Sequence, residues 1–289
     1  MFSIEETDGA LRTLRLRDDS AGSEVEVAPA RGGMVAGFAV RGRSILFLDP
    51  VSFLDTSTNV RGGVPILFPS PGKLSGDAWS RGGASGILRQ HGFARQLPWE
   101  AVSRATDGAA RLTLRLASSA ETLASWPWRF TLDVAYALAG AKLRLDVRVL
   151  NEGATAMPFG FGVHPYFAVA DADKPKLDVP TKATRAFDNV AKREVPFTGF
   201  AFAAGEVDLH LLDHGSNEAS LGFPDGARVV VRGSSELGHW VVWSLKGRDF
   251  VCLEPWSCPG DALNTGKRLL EAAPGQERNL WLEIELTGA

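Results

Sequence analysis

Residues 143–149 read Leu-Arg-Leu-Asp-Val-Arg-Val, four apolar residues on one parity and three charges on the other. A repeat of two is the repeat of an extended strand, whose side chains point alternately to opposite faces; a helix would spread the same pattern around its circumference. The alternation recurs at 14–17, 23–27, 112–116 and 130–134, and strand-like apolar runs follow at 229–231, 240–245, 250–253 and 281–286. Asp107-Gly108, Asn151-Glu152-Gly153, Pro224-Asp225-Gly226 and Lys246-Gly247 punctuate these runs as turns. Strands with one wet and one dry face, joined by short turns, form antiparallel sheets. Helical pattern is scarce: Ser118, with Glu121 three residues later, predicts a capping box that opens one short turn before Trp126-Pro127. Strands do not alternate with amphipathic helices, which excludes a doubly wound α/β fold. No repeat of fixed period and no biased linker divides the 289 residues. The expectation is all-β: one large antiparallel β-sandwich over 1–289 as a single domain, with an inner sheet face wide enough to hold a ligand.

Composition narrows the partners. Hydrophobic residues at 45% supply a sizeable core. A formal charge of -3 gives no electrostatic reason to bind nucleic acid or an anionic membrane. No apolar run approaches the ~20 residues of a membrane span. Residues 1–10 are polar and acidic, without the apolar stretch of a signal peptide, so the expected location is cytoplasmic. Cys252 and Cys258 are too few for a disulfide framework or a four-thiolate zinc site. Exposed strand edges permit oligomerisation without requiring it, and the oligomeric state stays open.

Two stretches break the strand pattern. Residues 61–95 are rich in Gly, Pro and Ser and carry Arg61, Lys73, Arg81, Arg89 and Arg95 against one acid, Asp77. Residues 254–266 contain Pro255, Trp256, Pro259, Gly260 and Asn264. Long irregular loops on a rigid scaffold are where binding residues collect, so both are expected at one end or face of the sheet.

Of the five histidines, His91, His164, His210, His214 and His239, no pair has the spacing of a zinc-binding helix. The Gly62-Gly63 and Gly82-Gly83 pairs lack the strand-then-helix setting of a phosphate loop, and no nucleophile-elbow serine is present. Acid–base chemistry has more support. In Phe159-Gly160-Phe161-Gly162-Val163-His164-Pro165-Tyr166-Phe167, glycines and a proline hold His164 on a strand edge or tight loop among aromatic rings. Such rings stack on the C–H faces of a sugar while a polar group meets its hydroxyls. A core aromatic cluster around one satisfied histidine fits the same residues. His91, followed by Gly92 and Phe93, repeats that setting. Glu254 ends the run 250–253 and shares a face with Phe250 and Cys252 by alternation. A carboxylate there is partly desolvated, which raises its proton affinity towards that of a general base. A strand-end carboxylate paired with Arg248 or with backbone amides is the alternative.

At these residues the sequence resembles the aldose 1-epimerase (mutarotase) family. The matches are Gly63-Val64-Pro65-Ile66-Leu67-Phe68-Pro69, His91-Gly92-Phe93-Ala94-Arg95, Gly162-Val163-His164-Pro165-Tyr166-Phe167, Glu254-Pro255-Trp256 and Ala262-Leu263-Asn264-Thr265-Gly266, in the family's order. The resemblance implies a galactose mutarotase-like β-sandwich (a supersandwich) with its site on a concave sheet. It implies Glu254 as general base and His164 as general acid. It places His91, Asp208, Arg95 and Lys73 in the substrate-binding set, Lys73 standing where family members usually carry arginine. A lysine keeps the charge but loses the planar fork.

Interconversion of α and β anomers takes a proton from the C1 hydroxyl and gives one to the ring oxygen, and needs no metal or cofactor. The implied partner is a free aldohexose. A hexose 6-phosphate is the alternative substrate, for which the basic excess in 61–95 would serve. A non-catalytic sugar-binding protein on the same fold is a second alternative. A glycosidase is a third, but it calls for two flanking carboxylates, and one candidate is found.

Overall fold

A computed structural model describes residues 1–288. The strand Lys142–Asn151 buries Leu143, Leu145, Val147 and Val149, as the alternation requires. Its opposite face carries Arg144 and Arg148, which pair across strands with Glu283 at 3.0 Å and Asp133 at 3.3 Å. This strand lies at the centre of a seven-stranded sheet ordered Glu218–Gly222, Arg228–Gly233, Glu277–Thr287, Lys142–Asn151, Phe130–Ala139, Ala110–Ala117, Glu100–Ala105. All its pairings are antiparallel.

A second large sheet runs Arg193–Pro196, Arg185–Asp188, Val207–Leu211, His239–Ser244, Phe250–Trp256, Gly162–Val163, Ile66–Leu67, with Tyr166–Ala168 also paired to Phe250–Trp256. One face of this sheet, through Trp240, Val242, Val251 and Leu253, joins the inner face of the seven-stranded sheet in one continuous core. The result is a large antiparallel β-sandwich. A five-stranded sheet over residues 2–44 packs beside it, and Tyr136 Oη donates to Gly33 O across the join. Among the described residues no helix is long and apolar enough to cross a membrane.

Two sequence expectations are corrected. The capping box before Trp126 forms one residue later: Ser119 caps the helix Ala120–Ser125 and exchanges bonds with Thr122 rather than Glu121. Residues 61–95 are not irregular throughout. They contain the strand Ile66–Leu67 and a hairpin of Ala78–Arg81 with Ala84–Ile87. The two unusual stretches do meet. Gly72 and Gly260 approach so closely that a Cβ on Gly72 would strike Gly260, and Asp261 N donates to Lys73 O at 2.9 Å. Asn264 ties the hairpin to this junction, accepting from Ser80 N at 2.8 Å and donating to Ala78 O at 2.9 Å.

Candidate active site

The free face of the second sheet is assembled row by row from strand register. Directly opposed residues on antiparallel neighbours point to the same side. One row runs Glu254, Val241, His210. The next runs Tyr166, Cys252, Trp243, Asp208. The row on the other side is Gly162, Trp256, His239. Period-two alternation within Phe250–Trp256 therefore sends Val251 and Leu253 to the core and Glu254 and Trp256 to this open face.

His164 stands where the chain leaves Gly162–Val163 and re-enters the sheet at Tyr166–Ala168. Its ring stacks on Tyr166 at 4.6 Å and meets Trp243 edge-on at 5.6 Å. Nε2 comes to 3.4 Å from Glu254 Oε1. The Arg248 pairing that the sequence left open does not form. His91 enters from the loop above: it and Gly92 both take left-handed backbone, with φ of 72° and 70°. Its Nδ1 bonds to Pro71 O, and its ring lies 5.6 Å from that of His164. Phe93 anchors this loop in an aromatic cluster with Phe68 and Phe130.

These groups floor a cavity of about 820 Å³, within the range of small-molecule sites. Glu254, His164, His91, Lys73, Asp208 and Arg95 all line it. Arg61 and Lys192 add two further cations to its walls, and Glu206 a further acid. His210, Trp243 and Asn189 also line it and were not singled out from sequence. The signal for His210 was present: it follows Asp208 by two residues on one strand and so shares its face.

Burial dominates the electrostatics. It pushes the Glu254 carboxyl well above its ordinary range, helped by the charge of Asp208. It holds His164 well below 6.5, with His91 and Arg95 adding to the effect. His91 is pushed down to about 3, and Arg95 down to about 10, by burial. Desolvation also raises Asp208, against a bond from Asn189. His164 Nδ1, Glu254 Oε2 and Trp256 Nε1 are buried without a protein partner. An unmatched buried polar group costs ~1–3 kcal/mol, and such groups persist where function uses them. His164, Cys252 and Glu254 bring one possible metal-ligating atom each within 4.8 Å of one another. Burial and the neighbouring Glu254 push the Cys252 thiol well up, so it keeps its proton and is a poor ligand.

Comparison with known proteins bears on the family and the fold. The family described as "Aldose 1-epimerase" matches residues 13–285. The crystal structure of the Slr1438 protein from Synechocystis sp. PCC 6803 is 35% identical, covers 100% of both chains and superposes with a TM-score of 0.93. LacX of Lactococcus lactis is 27% identical over 74% of this chain and 79% of its own. A protein of Cenchrus ciliaris provisionally named a glucose-6-phosphate 1-epimerase is 30% identical over 74% of this chain and 69% of its own. Galactose 1-epimerase from Lactobacillus acidophilus, at 15% identity over 99% of this chain and 98% of its own, shares the fold with a TM-score of 0.76.

Proposed function

The chain belongs to the aldose 1-epimerase family, and on that premise we propose that it interconverts the α and β anomers of an aldohexose, with Glu254 as general base and His164 as general acid. The observation that carries this reading is the buried His164–Glu254 pair, 3.4 Å apart on the floor of a sugar-sized cavity. Glu254 takes the proton from the C1 hydroxyl as imidazolium His164 gives one to the ring oxygen. The C1–ring-oxygen bond breaks, the aldehyde rotates, and closure on its other face returns both protons. Burial favours carboxylic acid and imidazole in the resting pair. Passing that acid proton from Glu254 to His164 across the 3.4 Å contact gives the carboxylate and imidazolium that open the ring. Opening returns the pair to carboxylic acid and imidazole. It holds one proton and no net charge in every state, so a desolvated site never carries a lone charge through the step. Tyr166 and Trp243 brace the His164 ring, and His91, Asp208, Arg95 and Lys73 are assigned to the sugar hydroxyls.

A second reading changes the substrate and not the chemistry. Arg61, Lys73, Arg95 and Lys192 all line the cavity. Such a set suits the phosphate of a hexose 6-phosphate, through charge-assisted bonds. Relatives provisionally named for glucose 6-phosphate point the same way.

Polarimetric equilibration of glucose, galactose and glucose 6-phosphate tests both. Glu254→Gln is expected to lower kcat by about 10²–10⁴, the contribution of one acid–base group. Near-normal turnover in that variant sinks the assignment. Wild-type equilibration no faster than solvent leaves a sugar-binding protein instead.

A further inference from the structure

We propose that His210 is a specificity-determining residue that donates its Nε2–H to a hydroxyl oxygen of the bound sugar, and that His239 is the positioning residue that fixes this tautomer from behind. The inference rests on reading the cavity as a sugar site, and it gives these rings a role separate from proton transfer at C1.

His210 stands in the same cross-strand row as Glu254, with Val241 between them. Two strand spacings, about 9–10 Å, separate the two backbones. One hexose ring fills such a gap with a hydrogen bond on either side. His210 is 8% exposed and lines the cavity. Its Nδ1 lies 2.9 Å from His239 Nε2. Trp256 packs on both rings, with centroids 5.4 Å from His210 and 6.2 Å from His239. Burial keeps both imidazoles neutral at ordinary pH.

Two neutral imidazoles joined by one hydrogen bond have two arrangements. In the first, His239 Nε2–H donates to His210 Nδ1, and His210 carries its own proton on Nε2. In the second, His210 Nδ1–H donates, and its bare Nε2 faces Asp208 Oδ1 at 3.8 Å. Asn189 Nδ2 donates to Asp208 Oδ2 at 2.6 Å, a bond that favours the ionised carboxylate, and an ionised carboxylate only accepts. A lone pair against a carboxylate oxygen is repulsive and an N–H against it is attractive. The first arrangement prevails. At 3.8 Å the Nε2–H makes no proper bond to Asp208, so it remains for a ligand.

Donor His210 Nε2 and acceptor Asp208 Oδ1 stand on one strand face only 3.8 Å apart. That spacing lets the two reach neighbouring ring hydroxyls, whose positions distinguish epimeric hexoses. An epimer that moves one of them leaves a buried donor or acceptor unpaired, and the site rejects it.

The 1,5-anhydrohexitols of the gluco, galacto and manno series lack the anomeric hydroxyl and report binding alone. Their affinities stay informative whatever Glu254→Gln does to turnover. Calorimetry on the wild type is expected to favour one epimer by about tenfold or more. His210→Phe should shrink that preference to about twofold, as removal of the discriminating bond requires. His239→Phe should weaken the preferred ligand, and His239→Gln, whose amide N–H can donate to Nδ1, should restore it. Heteronuclear NMR of the imidazole nitrogens needs no variant and should find the His210 proton on Nε2. The proposal is overturned by a wild type that binds none of the three or binds them equally, by a preference that survives His210→Phe, or by a proton on His210 Nδ1.

Discussion

Gly92 shows how much of the site hangs on one residue's backbone. Phe93 N and Ala94 N both donate to Phe68 O, at 3.0 and 3.2 Å, and a Cβ on Gly92 would collide with that same carbonyl. Gly92→Ala should therefore cost more than the ~1 kcal/mol of an unobstructed left-handed glycine. It should also raise KM more than it lowers kcat, because His91 is displaced and the acid–base pair is not. Thermal melts and steady-state kinetics check this, and a variant normal in both would remove the explanation. Burial also gives the imidazoles a pH signature. His210 is pushed down to about 4 from 6.5. Between those values the unfolded chain takes up a proton that the folded one refuses, so stability falls as pH drops through the window. Acidification from pH 7 to 5 should cost the wild type about 2 kcal/mol more than His210→Gln in urea unfolding. An equal loss in both would show that His210 is protonated in the fold. Its chemistry was legible in the sequence only in part. Asp208 and His210 share a parity, but that Glu254 lies in the same row is fixed by register across three strands, which no local pattern encodes.

Long strands were readable because alternation over many residues has a period, as at Lys142–Asn151 and Ala110–Ala117. Ile66–Leu67 and Gly162–Val163 have two residues each and no period to read. They are strands because neighbours pair with them. The capping box slipped by one residue for a similar reason: Ser118 and Ser119 are equivalent as letters, and only the helix geometry selects Ser119. The shared family segment 262–266 has a structural reading at this scale. Asn264 and Asp261 hold the 254–266 stretch against the loop that carries Lys73 and the hairpin beside it. Gly72→Ala would push Gly260 away and shift Lys73 with it. Its expected effect is a several-fold rise in KM at nearly unchanged kcat, since the floor of the cavity belongs to other strands. A fall in kcat with KM intact would show that the loop serves the chemistry directly.

At the scale of the molecule, the two sheets divide the charges between two uses. The outer face of the seven-stranded sheet balances arginines against acids in cross-strand pairs, among them Arg115–Asp133, Arg144–Glu283 and Arg232–Glu285. Exposed pairs of this kind contribute ~0–1 kcal/mol each and lose most of it in salt. Around the cavity, Arg61, Lys73, Arg95 and Lys192 meet the acids Glu206, Asp208 and Glu254. Burial and repulsion from the charge of Asp208 favour the protonated form of Glu254, so cations prevail locally although the whole chain carries -3. Approach of an anion is thus opposed at long range and favoured at the mouth. Raising salt from 0.05 to 0.5 M shortens the screening length from over 10 Å to roughly 4–5 Å and weakens that local attraction. If the substrate bears a phosphate, KM for glucose 6-phosphate should rise several-fold over this range while KM for glucose stays flat. A free-sugar enzyme gives flat values for both, and the phosphate then confers no advantage in KM at low salt. The salt series separates the two substrates without any mutation, because only one of them carries the charge that the four cations can grip.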